Sequence, residues 1–175
     1  MPVLAWHDAK ETALGRLAAV AGPIDVIVMD IEALTMLVSA DLVSGLADLG
    51  DQIRIVIPDA VWSALAVAGS EATARRLVEV SRERFPQITL APTFMDMRQR
   101  WLVELGVDQR IACEGMTRAA ALEVVEHYQS HNPDRDIILV LGDRAFGQTV
   151  LLLPDRTFAL SAGDLAAFLS ARHGA

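Results

Sequence analysis

Apolar and polar positions along this chain follow two periods, and their alternation sets out the elements. Continuous apolar runs appear at Ile24 to Asp30, Ile53 to Ile57, Ile88 to Leu90, Asp136 to Asp143 and Thr157 to Leu160, with a short apolar stretch at Val150 to Leu153. Runs of this length bounded by turn residues read as strands buried on both faces. Between them, apolar residues recur at helical spacing. Leu14, Leu17, Ala18 and Ala21 share a face in an Ala-rich helix from Asp8 to Ala21, which Gly22-Pro23 stops. Leu34, Leu37, Val38, Leu42 and Leu46 predict a helix from about Ala33 to near Gly50, and Asp59 opens a short apolar helix containing Val61, Trp62 and Leu65.

Past Gly69-Ser70, an amphipathic helix carries Ala74, Leu77, Val78, Ser81 and Phe85 on one face and charged residues on the other, up to Pro86. Thr93 with Asp96 resembles a capping box ahead of Phe94, Met97, Trp101 and Leu105, an apolar face expected to pack inward. Another helix is expected from about Glu114 to Ser130, with Ala121, Val124, Val125 and Tyr128 inward, and Ser161 to Arg172 closes the chain with Leu165, Phe168 and Leu169 buried. Alternating strands and helices predict an α/β domain with a mostly parallel sheet and right-handed crossovers.

Composition sharpens this picture. A chain of 175 residues suits one domain with a real core. Its hydrophobic content of 53% implies a two-sided sheet and an apolar subunit interface, hence an expected homodimer. No apolar run approaches the roughly 18 residues of a membrane span, since Asp30, Glu32 and Asp41 interrupt the most hydrophobic region. The N-terminus lacks the basic and apolar regions of a secretory signal, so a cytoplasmic protein is expected. Cys113 is the only cysteine, which excludes an internal disulfide framework and a multi-thiolate metal site within one chain. The net charge of -8 argues against a broad non-specific nucleic-acid surface. Carboxylates gathered around a divalent ion would also lower the net charge while the ion reverses the local field.

The candidate chemistry begins at Asp30, which ends the first buried strand, with Glu32 two residues later. Ligands of open α/β sheets bind beyond the C-terminal strand ends. An Asp at a strand-to-helix junction also caps the helix that follows. Both roles are open to Asp30. The run DIILVLGD repeats the pattern with Asp143, and on neighbouring strands the two carboxylates would repel unless a proton or cation lay between them. A hard ion, Mg²⁺ or Mn²⁺, suits that donor set. Glu114, expected to open the helix leading to the Asp143 strand, would lie over the same strand ends.

Five segments in order, VIVMDIEAL, IPDAVWSAL, CEGMTRAAALEVV, ILVLGDRAFGQ and TFALSAGDLAAFL, resemble the PIN-domain family, here over about Ile24 to Leu169. The resemblance implies a three-layer α/β/α domain with a central, mostly parallel sheet of about five strands at residues 23–175, preceded by an N-terminal helical extension at 1–22. It also implies a Mg²⁺- or Mn²⁺-dependent endoribonuclease acting on single-stranded RNA, as in the toxins of bacterial toxin-antitoxin pairs, with an antitoxin protein as partner. On this resemblance Asp30, Glu114 and Asp143 are the catalytic, metal-holding acids.

Several positions depart from the family pattern. Ile31 and Glu32 stand where a small hydroxyl residue and Asn are usual, Ala64 stands where a glutamate is usual, and Cys113 replaces a common glycine. Glu32 and Asp59 are the carboxylates available to replace the missing ligand. The competing expectation is a catalytically degenerate PIN-like domain that serves as a binding or oligomerisation module.

Other features read as structural. His127 and His131 lie four apart at a helix end with no third ligand nearby in sequence, and Cys113 has no neighbouring histidine. Trp62, Phe94 and Trp101 are expected in the core rather than stacked on bases. The arginines at 75, 76, 82 and 84 form a solvated face, whereas Arg144, beside Asp143, could reach a phosphate or balance a neighbouring acid. Gly142 and Gly147 belong to no phosphate-binding loop.

Overall fold

A computed structural model of the chain describes residues 6–19, 22–28, 30–68, 70–106, 109–146, 153 and 155–173. Inside these ranges the side chains at 6–9, 109–115 and several other helical positions, Glu114 included, lie outside the described set. The expected apolar stretch Val150 to Leu153 also falls outside it, apart from Leu153.

In chain order the elements are α1 (Trp6–Ala19), β1 (Ile24–Val28), α2 (Ile31–Ser39), α3 (Leu42–Ala47), β2 (Ile53–Pro58), α4 (Asp59–Ala68), α5 (Glu71–Glu83), β3 (Ile88–Ala91), α6 (Phe94–Glu104), α7 (Gln109–His131), β4 (Asp136–Leu141), α8 (Asp143–Phe146), β5 (Thr157–Ser161) and α9 (Ala162–His173). The strands form one parallel sheet in the order β3-β2-β1-β4-β5. Every residue of β1 and of β4 is buried, as their unbroken apolar runs require of strands covered on both faces.

The pleat divides the core. Ile24, Val26, Val28, Ile55, Ile57, Ile138 and Val140 face one helical layer, which supplies Leu17 of α1, Leu34 and Leu37 of α2, Leu46 of α3, Leu77 of α5 and Leu165 of α9. The alternate residues Ile27, Val56, Ile137, Leu139 and Leu141 face Ala121, Val124 and Val125 of α7. The result is the expected three-layer α/β/α arrangement. The N-terminal helix packs as an added element, with Ala13 and Leu17 fully buried and Lys10 ion-paired to Asp164 of α9.

Three expectations are corrected. The helix expected from Ala33 to Gly50 is two helices, because Asp41 adopts a left-handed φ of 55°. Asp tolerates this conformation, and its Oδ1 accepts from the Ser44 hydroxyl at 3.0 Å. Helix α7 starts at Gln109 rather than about Glu114. Glu114 therefore sits in the second turn, away from the amides of the helix start. The Asp96 side chain of the expected capping box lies outside the described residues; the Thr93 N–H and hydroxyl both donate to Asp59, at 2.9 and 2.6 Å. Phe85 lies beyond the end of α5 and is 78% exposed, leaving Leu77 and Val80 to hold that helix.

Candidate functional site

The order β3-β2-β1-β4-β5 places the switch in strand order between β1 and β4, with β2 and β3 to one side and β5 to the other. Open α/β sheets bind ligands in the crevice beyond the C-terminal strand ends at such a switch. Register pairs Val28 with Val140, so Asp30 and Gly142 emerge side by side, with Asp143 next. The two expected carboxylates thus stand on adjacent strands, which excludes an order in which those strands are separated.

Asp30 takes the capping role that its position allowed. With extended backbone (φ -150°, ψ 169°) it caps α2, its Oδ1 accepting from Ala33 N–H at 2.8 Å. The same carboxylate also accepts from Gly142 N–H, at 3.1 Å to Oδ1 and 3.0 Å to Oδ2, tying the ends of β1 and β4 together. Asp143 is exposed and its Oδ1 accepts from Gly163 N–H at 2.8 Å, which links α8 to the start of α9.

Two glycines allow these approaches. A Cβ at Gly142 would lie 2.5 Å from Glu32 Oε2 and 2.6 Å from Glu32 Cβ, and a Cβ at Gly163 would lie 2.6 Å from Asp143 Oδ2. Glu32 therefore lies directly over Gly142, beside Asp30. The sequence pattern marks Gly142 only as belonging to no phosphate-binding loop and does not mark Gly163. Their signal was position alone: Gly142 directly precedes Asp143, and Gly163 sits one residue into a helix. Ser161 completes this corner by accepting from Asp164 N–H at 3.1 Å, which caps α9.

The remaining candidates are placed elsewhere or not described. Asp59 stands at the end of β2, and both its oxygens accept from Thr93, so it secures the passage from β3 into α6. Ala64 is fully buried in α4. The Glu114 side chain lies outside the described residues. Among the described residues no group of three His, Cys, Asp or Glu side chains is placed to hold a metal ion.

The opposite end of the same strands shows what full neutralisation looks like. Asp25, with no exposed surface, accepts bidentate bonds from Arg54 at 2.8 and 3.0 Å and from Arg135 at 2.8 and 2.7 Å. Asp136 pairs with Arg156 at 2.9 Å and Arg16 at 3.4 Å. The Arg54 guanidinium lies 4.8 Å from the Tyr128 ring centroid, and its bonds to Asp25 hold its pKa above the usual arginine value. At the C-terminal end, by contrast, Asp30, Glu32 and Asp143 have no ion-pair partner among the described residues. Among the described residues, the partners of Asp30 and Asp143 are backbone amides.

His127 and His131 lie on the exposed end of α7 with ring centroids 4.2 Å apart and planes tilted by 36°, and His131 Nδ1 lies 2.8 Å from the His127 carbonyl oxygen. Trp62 packs against the core as expected. Phe94 and Trp101 do not: they are 72% and 57% exposed. No protein-family model, no curated protein and no solved structure matches this chain.

Proposed function

We propose that the C-terminal edge of β1 and β4 is the site of a PIN-like, Mg²⁺- or Mn²⁺-dependent endoribonuclease that cleaves single-stranded RNA. The supporting observation is the unneutralised carboxylate group at the switch in strand order. A fold that matches Asp25 and Asp136 with four arginines shows, among the described residues, no cation paired with Asp30, Glu32 or Asp143. Hard oxygen donors with uncompensated negative charge suit a hard divalent ion. Asp30, Asp143 and Glu114 would hold it, with Glu32 as the further carboxylate at hand.

When bound, the ion supplies an activated water and stabilises charge on the phosphorane-like transition state. The chain's own part is positioning. Hydrogen bonds from the Ala33, Gly142 and Gly163 N–H groups orient two carboxylates, and exposed Arg144 beside Asp143 would contact a phosphate. Under this reading the chain is a cytoplasmic toxin of a toxin-antitoxin pair, and its partners are RNA, an antitoxin protein and a second copy of itself.

A second reading, a degenerate domain that binds without cutting, draws on Ala64 and Asp59. Ala64 brings no carboxylate to the site from α4, and the oxygens of Asp59 are engaged with Thr93. Cleavage of single-stranded RNA in the presence of Mn²⁺, by wild type and by Asp30→Asn, separates the two. Asn still caps α2, so the substitution removes charge with little effect on the fold. The nuclease reading expects wild-type cleavage that Asp30→Asn abolishes. Mn²⁺ binding without cleavage, or no binding at all, would leave the binding module.

A further inference from the structure

The two flanks of the sheet are finished differently. At β5 the chain's own α1 packs against the strand, with Ala13 and Leu17 fully buried and Arg16 held by Asp136 and stacked 5.6 Å from the Phe158 ring. At β3, a four-residue edge strand, Leu90 is 55% exposed and lines an open apolar groove of about 750 Å³ with Phe85, Trp62 and Val78. Three residues past the end of β3, α6 begins with a row of large apolar side chains facing solvent: Phe94, Met97, Trp101 and Leu105, between 57% and 72% exposed.

At roughly 100° per residue these four fall within about 80° of arc, so they form a single stripe rather than scattered exposure. Leu105 N–H donates to the Trp101 carbonyl at 3.0 Å, so the helical path carries through the end of the row. Large side chains of this kind bury roughly 150–250 Å² each, so the exposed parts of the stripe amount to about 400–600 Å². That already equals the largest apolar patch of an ordinary monomer, roughly 300–600 Å². Leu90 and Phe94 are four residues apart and hence within about 14 Å. Adding Leu90 and Phe85 brings the surface close to the roughly 800 Å² per partner of a stable interface.

We propose that this surface is a two-fold interface between two copies of the chain, with the α6 helices packed antiparallel. The spacing suits that symmetry. An antiparallel pairing sets the Phe94 end of one helix beside the Leu105 end of the other and brings Met97 and Trp101 of both copies to the centre, an isologous contact. Charge suits it too. Across the whole chain like charges repel at a net -8, whereas residues 94–105 carry two acids, Asp96 and Glu104, and two bases, Arg98 and Arg100, for a net of zero. The proposal names the surface for the self-association included in the nuclease reading, and it is tested without reference to activity.

Light scattering coupled to size exclusion, over a concentration series of the full chain, reads the mass directly. Wild type is expected at twice 18.9 kDa, and Met97→Glu/Trp101→Glu at 18.9 kDa with unchanged far-UV circular dichroism. Ala171→Glu, at an exposed position of α9, is expected to stay dimeric. Should the glutamate pair fail to fold, Phe94→Ser/Leu105→Ser is expected to give the same monomer. A wild type that remains monomeric throughout overturns the proposal and leaves the stripe to another protein or to nucleic-acid bases. A dimer that survives folded α6 substitutions overturns it equally.

Discussion

The two ends of β1 and β4 carry the same residue type and treat it oppositely. At the N-terminal end Asp25 lies in the interior, saturated by two guanidinium groups, and Asp136 at the rim has two more. At the C-terminal end Asp30 and Asp143 are held by amide N–H groups, with no ion-pair partner among the described residues. A buried carboxylate must be paired to persist at all. A carboxylate at a rim oriented by dipoles alone costs the fold little and remains available to a cation. One end is construction and the other is the proposed site, and substitutions should separate them by magnitude.

The largest effect is expected from Asp25→Ala, which strands two arginines around a buried gap. It should cost about 3–5 kcal/mol in urea unfolding, whereas Asp143→Asn should stay within about 0.5 kcal/mol. Similar losses from both would erase the distinction. Next, Gly163→Ala puts a Cβ 2.6 Å from Asp143 Oδ2 and must displace that carboxylate. Because the displaced group is a presumed ligand of the proposed ion, Mn²⁺ affinity measured by calorimetry should fall about tenfold to a hundredfold. Asp30→Ala should cost about 1 kcal/mol through loss of the α2 cap, and Asp30→Asn much less, since Asn also caps.

The smallest effect concerns alkaline pH. The folded pKa of Arg54 is raised above the ordinary arginine value by its bonds to Asp25. A base whose folded pKa is raised contributes its full stabilisation below the unfolded pKa and loses it only as pH rises through the folded one. The difference in stability between wild type and Asp25→Ala should therefore be flat between about pH 7 and pH 10. A decline across that window would mean that Arg54 is not the group that neutralises Asp25.

How much of this was legible in the sequence depended on whether local pattern or tertiary pairing decided each point. The runs ending in Asp30 and Asp143 announced buried strands, because only two-sided burial tolerates such unbroken apolarity. Their adjacency came from strand order, which periodicity does not encode. Asp25 passed unnoticed inside IDVIV, since its partners Arg54 and Arg135 lie 29 and 110 residues away.

The α6 row was read as core because helical spacing defines a face and says nothing about what covers it. The break at Asp41 had neither Gly nor Pro to mark it, and the early start of α7 had no stop signal between Gln109 and Glu114. Gly142 and Gly163 show the reverse difficulty: the residues were plain to see, and their purpose, room for Glu32 and Asp143, exists only in the folded chain.

The contrast between the two ends comes to a single measurement: calorimetric titration of Mn²⁺ into wild type, Asp30→Asn, Asp143→Asn and a stability-matched substitution away from both ends, Val67→Ala. Wild type and Val67→Ala should bind with equal affinity, and both Asn variants should lose at least about tenfold, about 1.4 kcal/mol. A wild type that takes up no ion, or one whose affinity is indifferent to Asp30 and Asp143, would contradict the assignment of the C-terminal edge as the site.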